Sequence, residues 1–218
     1  TMMIENTHSN IDMLRPIQRY EALIKTRDQT DNGDLRKMFW LKSHSSDSWI
    51  EKITKFARSS ALMSIIGYIL GLGDRHPSNF MIDRNSGDVV HIDFGDCFEV
   101  ARNRILFPEY IPFRLTRMIV NAFGTCGIEG DFRPVCEKVM MLVRENCNSL
   151  VSVLEIFVQE PIHDENNKLN NTTQIIPRIW NKIVGTDFDQ KTPLSVSDQT
   201  EKLINSALDQ YNLANLYS

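Results

Sequence analysis

Cysteine is scarce in this sequence: four thiols in 218 residues, Cys97, Cys126, Cys136 and Cys147, with no Cys-x-x-Cys pair and no histidine cluster to complete a zinc set. That excludes a disulfide framework and leaves reduced, partly buried thiols as the expectation. Cys136 and Cys147 stand eleven apart, which would place them on one face of a shared helix. Long apolar runs are missing too. The longest, Ile65 to Gly73, has nine residues and cannot cross a bilayer. No signal peptide is recognisable, and Thr1 followed by Met2 and Met3 reads as a piece of a longer protein. Positive charge is not in excess: 24 Lys and Arg against 28 Asp and Glu give a formal net charge of -4, so no nucleic-acid surface is expected. Internal repeats and low-complexity tracts are absent. What remains, 42% hydrophobic and 24% charged, suits one large globular domain or two small ones.

Apolar spacing predicts mostly helix. Ile11, Leu14, Ile17, Leu23 and Ile24 suit one amphipathic helix despite Pro16, stopped at Asn32-Gly33-Asp34. Asp34 is positioned to cap a short helix through Trp40, and Ser45 and Ser46 to cap the next. From Trp49 to Leu72 a 3.6-residue period persists, apolar around much of its second half, so a buried central helix is expected, ended by Gly71 and Gly73. The period then changes to two short strands, Phe80–Ile82 and Val89–Ile92, across the turn-forming run Arg84-Asn85-Ser86-Gly87. After an irregular stretch, helices are predicted from Pro112 to Ala122, Asp131 to Asn146, Ser149 to Val158 and Ile176 to Val184. His163 to Thr173, nearly all polar, reads as a mobile surface loop. A last helix, capped by Ser197, would run through Leu203, Ile204, Ala207, Leu208 and Tyr211.

The chemistry is concentrated in Gly73-Asp-Arg-His-Pro-Ser-Asn79 and His91-Ile-Asp-Phe-Gly95. An acid followed five residues later by an amide, with a second acid beyond a hairpin, is the set that phosphoryl transfer from a magnesium nucleotide requires. Asp74 would accept or orient the proton of an acceptor hydroxyl; Asn79 and Asp93 would be hard oxygen ligands for the metal. Each has a plainer alternative, a cap for Asp74 and a turn amide for Asn79. His76 would shuttle the proton or face the γ-phosphate, unless it only shapes the loop. Arg75 reads as a structural ion-pair partner and His91 as a hydrogen-bonded structural histidine. Met81 and Ile92 are core residues or the floor of an adenine pocket. Neither a glycine-rich loop nor a lysine-bearing strand for the triphosphate is present, so half of an active site is expected.

Leu70-Gly-Leu-Gly-Asp-Arg-His-Pro-Ser-Asn79 and His91-Ile-Asp-Phe-Gly-Asp-Cys-Phe-Glu-Val100 resemble the catalytic and metal-binding loops of the phosphatidylinositol-3-kinase-related protein kinases. Trp40-Leu-Lys-Ser43 with Ser46 and Trp49, and Phe107 to Met118, are similar to one member of that family most. The resemblance implies a mainly α carboxy-terminal kinase lobe of the PI3/PI4-kinase type with a small β-hairpin and no amino-terminal lobe. Residues 31–190 would form it, with catalytic loop 73–79, metal motif 93–95 and activation loop 93–114. It further implies catalytic Asp74 and His76, metal ligands Asn79 and Asp93, and a nucleotide site touching Met81, Ile92 and Asp93. ATP with Mg2+, or Mn2+ in its place, would be the cofactors. Residues 1–30 resemble the end of an insertion that docks a β-propeller subunit, and residues 191–218 the truncated start of the family's FATC element. Protein substrates, other scaffold subunits, and a cytoplasmic or endomembrane-peripheral location follow from the same resemblance.

Lipid kinases share these loops. From Asp93 to Pro112 four acids face two arginines, a net of -2 that would repel an anionic head group, so a protein hydroxyl is the expected acceptor. A non-catalytic scaffold of the same fold is the third reading; it would be expected to have lost the metal ligands, and Asp74, Asn79 and Asp93 all stand.

Overall fold

A 25-residue helix, α3 (Ser46–Leu70), is the axis of the molecule. The computed structural model describes residues 15–103, 109–159, 169–188 and 192–216. Ser45 caps α3, its hydroxyl accepting the Ser48 amide at 3.2 Å. Small residues let neighbours approach: Ala57, Ser60, Ala61 and Ser64 are all buried, and helix α5 (Phe132–Glu145) packs along them. Gly71 ends the helix at φ 61°, a left-handed cap open to glycine without strain.

Around this axis the other elements are arranged by their apolar faces. Helix α1 (Pro16–Gln29) packs on α9 (Gln210–Ala214), where Tyr20 and Tyr211 rings meet at 6.1 Å. Helix α2 (Asp34–Leu41) rests on α3 and on α4 (Arg117–Ala122). Helix α6 (Cys147–Gln159) pairs with α7 (Leu169–Val184), and α8 (Val196–Leu208) lies against α5. Strands β1 (Phe80–Ile82) and β2 (Val89–His91) form an antiparallel pair with Phe80 opposite His91, Met81 opposite Val90 and Ile82 opposite Val89. An aromatic cluster joins the hairpin to the helices: Phe56 meets Phe80 of β1 at 6.4 Å, Phe39 at 5.0 Å and Phe123 at 5.6 Å, and Phe123 stacks on Phe132 at 4.9 Å. Phe56 and Phe132 are completely buried, each contributing roughly 1.5–3 kcal/mol.

Several boundaries differ from expectation. Pro16 begins α1 instead of interrupting it, because its missing N–H costs nothing in a first turn; Ile11 and Leu14 lie outside the described residues. Gly33, not Asp34, is the cap residue of α2. Pro112 to Thr116 is not helical: Phe113 and Leu115 are buried at alternating positions, and α4 starts only at Arg117. The polar loop expected at 163–173 is a helix from Leu169 onward, where the Ile175, Ile176, Ile179 and Ile183 face extends its turns at low cost once nucleated; residues 163–168 lie outside the described set. Ser195, not Ser197, caps α8, its Oγ accepting the Asp198 amide at 3.1 Å, while Ser197 donates to Glu137 at 3.0 Å. Asp209 then caps a separate helix for Tyr211. Cys136 and Cys147 fall on different helices, and all four cysteines are free thiols. No described helix is long and apolar enough to cross a membrane.

Candidate active site

The end of α3 and the hairpin converge because three backbone bonds tie residues 70–73 to residues 96–99. Phe98 donates to Leu70 at 2.7 Å, Glu99 to Gly71 at 2.9 Å, and Gly73 to Asp96 at 2.9 Å. The approach is close. A Cβ at Gly73 would lie 2.1 Å from Ala101 Cβ, and one at Gly71 would lie 2.7 Å from the Glu99 amide. Glycine is required at both positions by space, and at Gly71 by conformation as well.

Asp74 and Asp93 are both held in the left-handed region, at φ 58° and 59°. A side chain at such an angle costs of order 1–3 kcal/mol, and strain of this kind clusters where function requires a fixed geometry. Asn79 is buried and donates its Nδ2 to the Asp74 carbonyl at 2.9 Å, which fixes the amide and leaves Oδ1 as the atom that could hold a metal. Across the hairpin the Ile92 amide donates to the Asn79 carbonyl at 3.2 Å, so Asp93 begins one residue beyond the pairing. Its Oδ1 accepts the Gly95 amide at 3.2 Å. His76 Nδ1 accepts the Ser78 amide at 3.2 Å; the proton of the neutral ring is therefore on Nε2, which lies 3.9 Å from Asp74 Oδ2. Asp74, His76, Asn79 and Asp93 thus come together at one end of the fold. An amide oxygen and a carboxylate on adjoining chain segments fit a magnesium that keeps waters and phosphate oxygens in its remaining positions. Among the described residues no cluster of three or more His, Cys, Asp or Glu forms a closed metal cage.

Arg75, buried at 7% exposure, is more than an ion-pair partner. Its guanidinium donates to the carbonyls of Gly73 at 2.8 Å, Ile92 at 2.8 Å and Asp93, stitching the Asp74 loop to the Asp93 strand. Burial pulls its pKa down, against the pull of Asp74 and Asp93. His91 departs from the hydrogen-bonded role expected of it: its Nδ1 is buried with no hydrogen-bond partner among the described residues, and its ring packs on Phe80 at 5.6 Å. Burial, with help from the Arg75 charge, pushes its pKa down to about 4. Met81 and Ile92 are exposed at 53% and 39%, so they are not core residues. With Val90, which the sequence reading overlooked, they share the outer face of the hairpin, an apolar strip beside the two carboxylates. Any alternation argument along β2 would have found Val90.

The acidic count after Asp93 does not survive as a steering field. Glu99 is paired with Lys182 at 2.8 Å and with Arg178 at 3.3 Å, and its side chain is 12% exposed. Burial opposes the Glu99 carboxylate, but Lys182, with Arg102 and Arg178, outweighs it and holds the group below its usual range. Glu109 accepts the Asp74 amide at 2.9 Å. Two of the four acids counted are engaged internally, so the preference for a protein acceptor must rest on other grounds.

Lys182 also donates to the Tyr68 carbonyl at 2.9 Å, and Tyr68 Oη donates to Asp187 at 2.6 Å. Fully buried Gln199 completes this belt. It donates to the Lys182 carbonyl at 2.7 Å and accepts from Arg144 at 2.7 Å.

With this geometry in place, the comparisons with known proteins are direct. Residues 1–166 match the family model described as phosphatidylinositol 3- and 4-kinase. The serine/threonine-protein kinase tor1 of Schizosaccharomyces pombe is 41% identical across 94% of this chain, which spans 11% of that protein. The TOR kinase of Oryza sativa subsp. japonica is 51% identical across 69% of the chain, itself 6% of the relative. A solved structure of the FAT and kinase domain of CtTel1 superposes with a TM-score of 0.82 at 32% identity, covering 96% of this chain and 15% of that one. The chain therefore spans about a tenth of the length of the curated relatives it matches. It belongs to the phosphatidylinositol 3- and 4-kinase family, and its similarity to the target-of-rapamycin protein kinases runs along nearly its whole length.

Proposed function

We propose that this chain is the carboxy-terminal lobe of a serine/threonine protein kinase of the target-of-rapamycin type. The observation that carries the reading is the Asp74 carboxylate beside His76 Nε2, with Asn79 locked to the same loop and Asp93 delivered by the hairpin. Magnesium, when bound with ATP, neutralises charge on the β- and γ-phosphates. Asn79 Oδ1 and the Asp93 carboxylate would hold it. The Asp74 carboxylate accepts the hydrogen of the substrate Ser or Thr hydroxyl as that oxygen bonds to the γ-phosphorus and ADP leaves. His76 Nε2–H faces the Asp74 carboxylate or the transferring phosphoryl oxygens. Met81, Val90 and Ile92 offer an apolar face to the adenine.

Residues 31–190 form the lobe in this reading, with the catalytic loop at 73–79, the metal motif at 93–95 and the activation loop at 93–114, of which 104–108 lie outside the described residues. Residues 1–30 dock a β-propeller subunit and residues 191–218 open a FATC-like segment. Other scaffold subunits complete a complex working in growth and nutrient signalling, cytoplasmic or peripheral at endomembranes. A lipid acceptor is not favoured, because the similar relatives carry the name of protein kinases.

Parent kinase and isolated chain can be assayed in parallel for magnesium-dependent phosphate transfer to a Ser/Thr peptide and to phosphatidylinositol vesicles. The parent phosphorylates the peptide, Asp93→Ala lowers that rate by about a hundred- to a thousandfold, and the chain alone, lacking a phosphate-gripping lysine, turns over negligibly. Vesicle phosphorylation matching the peptide rate overturns the protein-kinase assignment. Robust Asp93-dependent turnover by the isolated chain overturns the half-site.

A further inference from the structure

Asp74 needs an external hold. Its backbone sits in the left-handed region at φ 58°, a sparsely populated conformation that persists where the surroundings over-determine it. The strand pairing cannot supply that hold, since it begins at Phe80. Within the loop Asn79 Nδ2 grips the Asp74 carbonyl at 2.9 Å; the hold from outside it is a carboxylate 35 residues away, Glu109 Oε2, which accepts the Asp74 amide at 2.9 Å. An ionised acceptor makes this bond stronger than one to a carbonyl. Glu109 is anchored in turn. Its own amide donates to the Ala101 carbonyl at 3.2 Å, and Arg114, which bonds the Arg75 carbonyl at 3.5 Å, supplies a neighbouring positive charge. Gly73 lets Ala101, the anchor of the Glu109 amide, come close: a Cβ there would strike Ala101 Cβ at 2.1 Å.

We infer that Glu109 is a positioning residue for the catalytic carboxylate: by gripping the Asp74 amide it sets the direction of the Asp74 side chain toward the acceptor hydroxyl. The inference rests on the reading of Asp74 as the catalytic base. It also gives Glu109, far along the activation loop, a part in the chemical step. The Glu109 amide bond to the Ala101 carbonyl is thereby coupled to the aim of Asp74.

The test is steady-state peptide phosphorylation by the parent kinase carrying Glu109→Ala, Glu109→Gln, Glu109→Asp or Asp74→Asn. Asp74→Asn abolishes turnover; if it does not, the catalytic reading of Asp74 fails whatever Glu109 does. With that control inactive, Glu109→Ala lowers kcat by roughly ten- to a hundredfold, leaving the KM for ATP within about twofold of the parent value. Glu109→Gln, which keeps an acceptor oxygen at the same reach, recovers most of kcat. Glu109→Asp keeps the charge but retracts the oxygen by one methylene, and so falls below Glu109→Gln. If Glu109→Ala does not fold, the order of the Gln and Asp variants decides alone. Unchanged kcat in Glu109→Ala, a loss confined to KM, or Asp outperforming Gln overturns the inference.

Discussion

The mouth of the site and the belt behind it use polar groups in opposite ways. At the mouth, Asp74 and Asp93 stand in the left-handed region, their backbone groups gripped by the side chains of Glu109, Asn79 and Arg75. In the belt, Lys182, Tyr68, Gln199 and Arg144 satisfy one another in a dry interior. The mouth is held through the backbone groups of its reactive residues. The belt spends its donors on partners, and what it gains is a fixed distance between α3, α7 and α8. Glu99 joins the two: its amide is bonded to Gly71 at the mouth and its carboxylate to Lys182 in the belt.

The contrast predicts where damage is worst. Lys182→Met leaves the Glu99 carboxylate, 12% exposed, without its nearest counter-ion, and a broken buried pair costs about 3–5 kcal/mol. Urea unfolding followed by tryptophan fluorescence should show that loss, and adding Glu99→Leu should restore much of it. A double variant no more stable than Lys182→Met would mean that the belt is not held by this pair. Gly73→Ala, at the mouth, forces two methyl carbons toward 2.1 Å and should cost about 1–3 kcal/mol. Ala101→Gly on top of it removes the clash, so recovery in the double variant separates steric conflict from lost flexibility.

The smallest effect is a pH slope. His91 is neutral in the fold with its pKa pushed down to about 4, while an unfolded histidine titrates near 6.5. The unfolded chain therefore binds the extra proton first. Stability is fully present above pH ~6.5 and declines as pH falls toward about 4. His91→Phe should flatten the stability profile across that window; an unchanged slope would assign it to carboxylates instead.

How much of this was legible in the sequence depends on distance along the chain. Asp74 and Asn79 are five residues apart, and a tight turn returns Asp93 to them, so their spacing alone announces the set. The long period of α3 and its glycine stop were equally visible. Glu109 meets Asp74 across 35 residues, Lys182 meets Tyr68 across 114 and Gln199 meets Tyr68 across 131. No local pattern encodes such contacts; they arise only when packed helices bring distant faces together. The mistaken start of α4 has a similar cause. Pro112 looks like a first-turn proline, but burial of Phe113 and Leu115 demands an extended chain there. The helix from Leu169 was hidden by poor helix formers that a strongly amphipathic continuation carries along.

The three amides that tie residues 70–73 to residues 96–99 belong to Gly73, Phe98 and Glu99. Because the cross-link is made of main chain, the tie ignores the identity of most side chains and is vulnerable to an imino acid at any of the three donors. It also makes the two segments a single opening unit. Their amide hydrogens should exchange with solvent together, at one common rate, so a loss of protection at Phe98 would report directly on whether the loop bearing Asp74 has come loose.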